Sequence, residues 1–149
     1  AYDLSPRPPA QCAAWLKTQR PACREAEFLA AVYEGSPGRC LAAVDDPEVT
    51  ASLNAARQLA GLVNAGQEYE ILVLLARYEK DKPGAFLLLS QFASLCAAAL
   101  ADPERAGLPA KAAGRCLYRV AAARKALEGN ANTKLVLTNL GIRLARANR

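Results

Sequence analysis

Histidine is absent from all 149 residues. That absence removes the commonest general base and the commonest zinc partner, and it excludes Ser/His and Cys/His nucleophilic pairs. Aromatic residues amount to only 6% of the chain, and β-branched residues are few, so there is little from which to build a sheet. No apolar run reaches the roughly 20 residues of a membrane span. The longest, "ILVLLA" and "AFLLL", are the size of core segments. The opening residues lack the basic-then-apolar pattern of a secretory leader. Five cysteines, at 12, 23, 40, 96 and 116, form no CxxC pair, and their odd number and wide spacing argue against a disulfide framework. Each lies beside Ala or Leu within a helical pattern, which predicts buried free thiols in a reducing cytosol.

What the chain does contain is alanine and leucine, both strong helix formers. Pro8 and Pro9 precede an apolar stripe carrying Trp15 and Leu16, and Pro21 ends it. A second helical period runs through Ala26, Leu29 and Ala30 to Gly35. A third begins at Ser36, a good N-cap, with Pro37 at the first helical position, where a missing N–H costs nothing. Three short helices in about 45 residues cannot bury a robust core alone. From Pro47 the helices lengthen. Asp46 caps the first, whose buried stripe is Leu53, Ala56, Leu59, Ala60 and Val63. The segment "PGAFLLLSQFASLCAAALAD" is apolar nearly all round and reads as the central helix of a bundle. Gly129 reads as a C-cap, and Asn130 and Asn132 as residues able to cap the last helix. The expectation is an all-α protein of about eight helices: a three-helix module over 1–45 and a five-helix bundle over 46–149.

Charge is unevenly placed. Residues 104–149 hold ten Lys/Arg against two Asp/Glu, a net of +8, whereas residues 1–103 hold nine against twelve, a net of −3. Lys111, Arg115 and Arg119 recur every four residues and so share one helix face, which Arg124 and Lys125 extend. Such a stripe suits an acidic protein surface or DNA phosphates; it is also what the solvated face of a bundle helix looks like. The stretch "EGSPGRC" has the glycines of a phosphate-binding turn but lacks the Lys of GxxxxGK[ST], and Pro37 removes one amide. Asp45–Asp46 and Glu79–Asp81 sit at helix ends, where acids cap or solvate turns. No enzyme active site and no metal site is legible.

The order of "LSPRPPAQCAAWL", "AAVYEGSPGRCLAAV", "ARYEKDKPGAFLLLSQFASLCAAAL" and "ALEGNANTKLVLTNLGIRLA" resembles the delta-prime subunits of the bacterial DNA polymerase III clamp loader, over essentially the whole chain. The resemblance implies the AAA+ lid over 1–45 and the C-terminal helical collar over 46–149, without the N-terminal AAA+ domain. In the ATP-binding subunits of that family the lid turn reads like Gly-Ser-x-Arg, the arginine (sensor 2) reaching nucleotide. Here Gly35 and Ser36 fill the first two places, Gly38 stands in the arginine's place, and the charge has moved to Arg39. One residue along a helix is about 100° of rotation, so Arg39 would point away from a phosphate that residue 38 could reach.

The implied role is non-catalytic: cytoplasmic assembly into the complex that loads the sliding clamp on primed DNA, with no cofactor and no membrane. The implied partners are gamma/tau-type and delta subunits, with DNA met indirectly through the complex. Arg115, Arg119 and Arg143 are the candidate polar contacts of the collar interface, with Tyr118 and Leu140 as exposed apolar anchors. Two alternatives remain: the lid and collar of an ATP-hydrolysing gamma/tau-type subunit whose Arg39 senses nucleotide, and a stand-alone helical DNA-binding protein using the C-terminal stripe.

Overall fold

A computed structural model describes residues 6–148; Leu4 and Ser5 of the first motif, and Arg149 of the basic segment, lie outside them. The described residues form nine helices and no strand: α1 (Pro9–Gln19), α2 (Ala26–Val32), α3 (Pro37–Asp45), α4 (Pro47–Asn64), α5 (Glu68–Ala76), α6 (Lys82–Ala101), α7 (Pro103–Ala106), α8 (Ala110–Glu128) and α9 (Thr133–Ala145). The chain is all-α. The helix beyond the expected eight is α7, a single turn started by the Asp102 side chain accepting from the Arg105 amide at 3.2 Å.

The chain divides into two compact units, 1–51 and 52–149, with the division inside α4. In the first unit α1, α2 and α3 pack on one another around Cys12, Leu16, Phe28, Leu29, Val32, Tyr33 and Cys40. Their ends follow the local chemistry. Pro9 begins α1 at the position where proline loses no hydrogen bond. The Asp45 carboxylate, just before α4, takes two bonds from Arg20, at 2.9 and 2.6 Å. Those bonds hold its carboxyl below the usual range, a surface pair of small energetic weight. Asp46 accepts from the Glu48 amide at 3.0 Å and so starts α4.

In the second unit the core is aliphatic. Leu53, Ala56, Leu59, Ala60 and Val63 of α4 are all buried, as their spacing predicts. α6 packs on α8 and α7, α9 packs on both α5 and α8, and Leu88, Leu89, Phe92 and Leu95 of α6 are wholly covered. α6 is also the one described helix long and apolar enough to cross a membrane by length and composition. Asp81 caps it, accepting from the Gly84 amide at 3.0 Å.

α5 and α9 approach closely at Gly141, where an added Cβ would stand 2.7 Å from the end of Leu72 and 3.2 Å from that of Leu75. Beyond α9, Asn148 donates to the Asn64 carbonyl and to its side-chain oxygen, at 2.9 and 3.0 Å, tying the end of the chain to the end of α4.

Gly129 is the C-cap of α8, as expected, with its amide donating to the Lys125 and Ala126 carbonyls at an ordinary φ of −90°. One expectation about helix ends needs correction: the left-handed residue of this turn is Asn130, at φ 66°. Asparagine tolerates that conformation through its short polar side chain. Asn130 therefore makes the turn, and only Asn132 caps α9, accepting from the Leu135 amide at 3.1 Å.

Candidate functional site

The Gly35 turn is built by its own backbone. Glu34 and Gly35 are consecutive left-handed residues, at φ 53° and 76°. The Gly35 amide donates to the Ala30 carbonyl at 2.8 Å, and Ser36 to Tyr33 at 3.0 Å. The Cys40 amide donates to the Ser36 carbonyl at 3.1 Å, and the Arg39 amide to the Ser36 hydroxyl in a long 3.5 Å contact. Of the amides a phosphate cradle could draw on, those of Gly35 and Ser36 are committed to closing α2 and those of Arg39 and Cys40 to starting α3. The Gly35 carbonyl in turn accepts from the Arg7 amide at 3.0 Å, so the turn also anchors the segment before α1.

Gly38 opens on space: an added Cβ there meets nothing within 4 Å. Arg39 is exposed and lies over the Tyr33 ring, 4.7 Å from its centroid. Burial pushes the Tyr33 hydroxyl up to about 12, against a smaller opposing pull from Arg39.

The cysteines form two buried pairs. The Cys12 and Cys40 sulfurs are 3.8 Å apart between α1 and α3, and burial, reinforced by Cys12, pushes the Cys40 thiol up to about 12. The neighbouring Cys116 thiol of α8, together with burial, pushes the Cys96 thiol of α6 up strongly. All five are free thiols, but Cys23 is only half-buried, contrary to expectation, because it lies in the loop between α1 and α2. Thiols held protonated are poor nucleophiles and poor ligands. Among the described residues no group of three or more His, Cys, Asp or Glu could hold a metal ion.

The most developed surface lies between α8 and α9. Arg115, Tyr118 and Arg119 from α8, with Arg143 of α9 and Arg146 and Ala147 just beyond it, line a concavity of about 410 Å³. A second hollow of about 180 Å³ adjoins it, and Arg119 and Arg143 line both. The floor of the second hollow is apolar: Ala122, Ala123, Ala126, Val136 and Leu140, with Asn139 at its side.

Arg115 donates to the Ala147 carbonyl at 3.3 Å, which fixes its stem against the end of the chain. Tyr118 is 71% exposed, and the Arg119 guanidinium lies 5.4 Å from its ring centroid. Among the described residues no carboxylate lines either hollow, and four guanidinium groups share one concavity. That arrangement attracts carboxylate or phosphate oxygens, which planar guanidinium groups bind in bidentate fashion.

Four of the five residues singled out in the sequence thus line one concavity. Leu140 departs from expectation: it is 4% exposed, because it packs between α8 and α9, and it serves as floor rather than as exposed anchor. Arg124 departs as well. Its guanidinium turns inward over Phe86, 5.3 Å from the ring centroid, so it does not extend the stripe. Sequence reasoning missed Arg146 and the exposed Leu135. The first was legible as the residue three positions after Arg143, one helical turn on.

No family model, curated protein or solved structure matches this chain. The likeness to clamp-loader subunits therefore rests on the order and spacing of the four quoted segments.

Proposed function

We propose that this chain is a non-catalytic assembly part of a clamp-loader subunit of the delta-prime type. Its second unit would act as a collar holding neighbouring subunits together, and its first as a lid that reads no nucleotide. The observation that carries the reading is the α8–α9 face, where Arg115, Tyr118, Arg119 and Arg143 surround a partly apolar concavity. Protein interfaces concentrate arginine and tyrosine around apolar floors in this way.

Two further observations support the lid assignment. The amides of the Gly35 turn are used within the turn, and Arg39 stacks on Tyr33. Both speak against the nucleotide-sensing alternative. The neighbours would be gamma/tau-type and delta-type subunits, and DNA would be met only through the complex.

Co-expression of this chain with those two subunits tests the proposal. Size-exclusion chromatography should return one complex containing all three. Elution of the chain apart from a complex of the other two would contradict it.

A further inference from the structure

The concavity between α8 and α9 has a counterpart on the same unit. The first two turns of α5 expose Tyr69 (74%) and Val73 (45%), four residues apart and therefore on one face. Glu68 and Glu70 flank that stripe and are themselves exposed, and no basic residue appears before Arg77 at the C-cap. The α5 face thus offers two carboxylates around an aromatic and a β-branched side chain. The α8–α9 face offers four guanidinium groups beside a floor of small apolar side chains. Each presents what the other lacks.

The two faces lie on opposite flanks of α9. Lys134, Leu137, Thr138 and Gly141 of α9 face α5, whereas Val136, Asn139, Leu140 and Arg143 face the hollow against α8. At about 100° per residue the two sets are roughly half a turn apart. Complementary faces on opposite flanks cannot satisfy each other within one molecule. They fit a heterologous, head-to-tail contact, the kind that builds rings or open chains.

We propose that the α8–α9 concavity of one copy takes the α5 face of a second copy. Tyr69 and Val73 would seat over the Ala122–Ala126 floor, and Glu68 and Glu70 would pair with Arg119 and Arg143. Charge complementarity selects this occupant. An extended nucleic acid would match the guanidinium groups but leave the apolar floor unused, whereas a helix carrying acids and apolar residues one turn apart uses both. The inference rests on the assembly reading for the location of the interface and concerns the chain by itself, where no gamma/tau-type or delta-type neighbour is present and a second copy fills the concavity.

Sedimentation of the whole chain tests it. The wild-type chain should self-associate with a dissociation constant of about 10–100 µM, typical of a small polar interface. Association should weaken by about tenfold as salt rises from about 50 to 300 mM, since exposed charges are screened. The pair Arg119→Glu with Arg143→Glu should be monomeric alone, as should Glu68→Lys with Glu70→Lys. Mixed, the two variants should regain association, because together they hold one intact concavity and one intact α5 face, and their reversed faces are opposite in charge as well. Circular dichroism verifies folding, and Glu68→Gln with Glu70→Gln should weaken association in the same direction without reversing charge near the helix terminus.

A wild-type chain that stays monomeric, or a mixture that fails to pair, overturns the proposal. So does an oligo-dT 20-mer that binds at the arginines and displaces the second copy. A monomeric chain that still co-assembles with gamma/tau-type and delta-type subunits overturns the self-docking while leaving the assembly reading standing.

Discussion

The guanidinium of Arg39 lies over the ring of Tyr33, 4.7 Å from its centroid, and Tyr33 is itself buried. A cation held over an aromatic face is attracted by the ring's quadrupole, so Arg39 has a role that needs no nucleotide. ATP titrated into the chain should give no binding heat, with or without Arg39→Ala. Gly38→Arg should fold like the wild type, because the space beside residue 38 is open. A binding isotherm that disappears in Arg39→Ala would revive the nucleotide-sensing lid.

Gly35 is not replaceable in the same way. Its φ is 76°, and an added Cβ would stand 1.7 Å from the Arg7 carbonyl oxygen, a backbone atom that cannot swing aside. Gly35→Ala therefore combines left-handed strain with overpacking and should cost roughly 2–4 kcal/mol. Chemical denaturation checks it; the loss should be accompanied by faster proteolysis between Ala1 and Ala51.

Gly141 illustrates packing rather than φ. The ends of Leu72 and Leu75 occupy the space beside it. Gly141→Leu should force α5 and α9 apart and destabilise the second unit by about 1–3 kcal/mol. Thermal unfolding followed by circular dichroism measures the loss. A variant as stable as the wild type would mean that the α5–α9 contact is loose.

The paired thiols predict an alkaline effect. Cys40 and Cys96 have folded pKa values raised above the ordinary thiol range. In the folded chain they keep a proton that the unfolded chain releases. Their contribution to stability is complete below about pH 9, and it is lost as pH rises through the folded values, the sign linkage requires for a raised acid. Stability should fall from pH 9 upward, and Cys40→Ala should flatten that fall. In native protein near neutral pH, iodoacetamide should label the half-buried Cys23 first. Prompt labelling of Cys96 would contradict the account.

Much of the fold was legible in the sequence, because helix starts and stripes are local. Ser36–Pro37 and Asp46–Pro47 mark starts that the backbone adopts, and the period of Leu53, Ala56, Leu59 and Val63 marks a face that is buried. Features set by long-range packing were not. Leu140 is expected to be exposed from segment charge and the collar role that the resemblance implies, yet α8 covers it. Arg124 reads as part of a charged stripe, yet Phe86, 38 positions earlier, draws it inward. The site followed the same division. Arg115 and Arg119 were visible as an i, i+4 pair, but their meeting with Arg143 and Arg146 across α9 depends on how two helices pack.

The most direct measurement is assembly itself, with Arg115→Glu and Arg119→Glu introduced together. The account predicts that the doubly reversed chain stays folded and no longer co-purifies with the gamma/tau-type subunit, while the wild-type chain does. Equal recovery of the two in the complex would show that the α8–α9 face is not the surface that joins this chain to its neighbours.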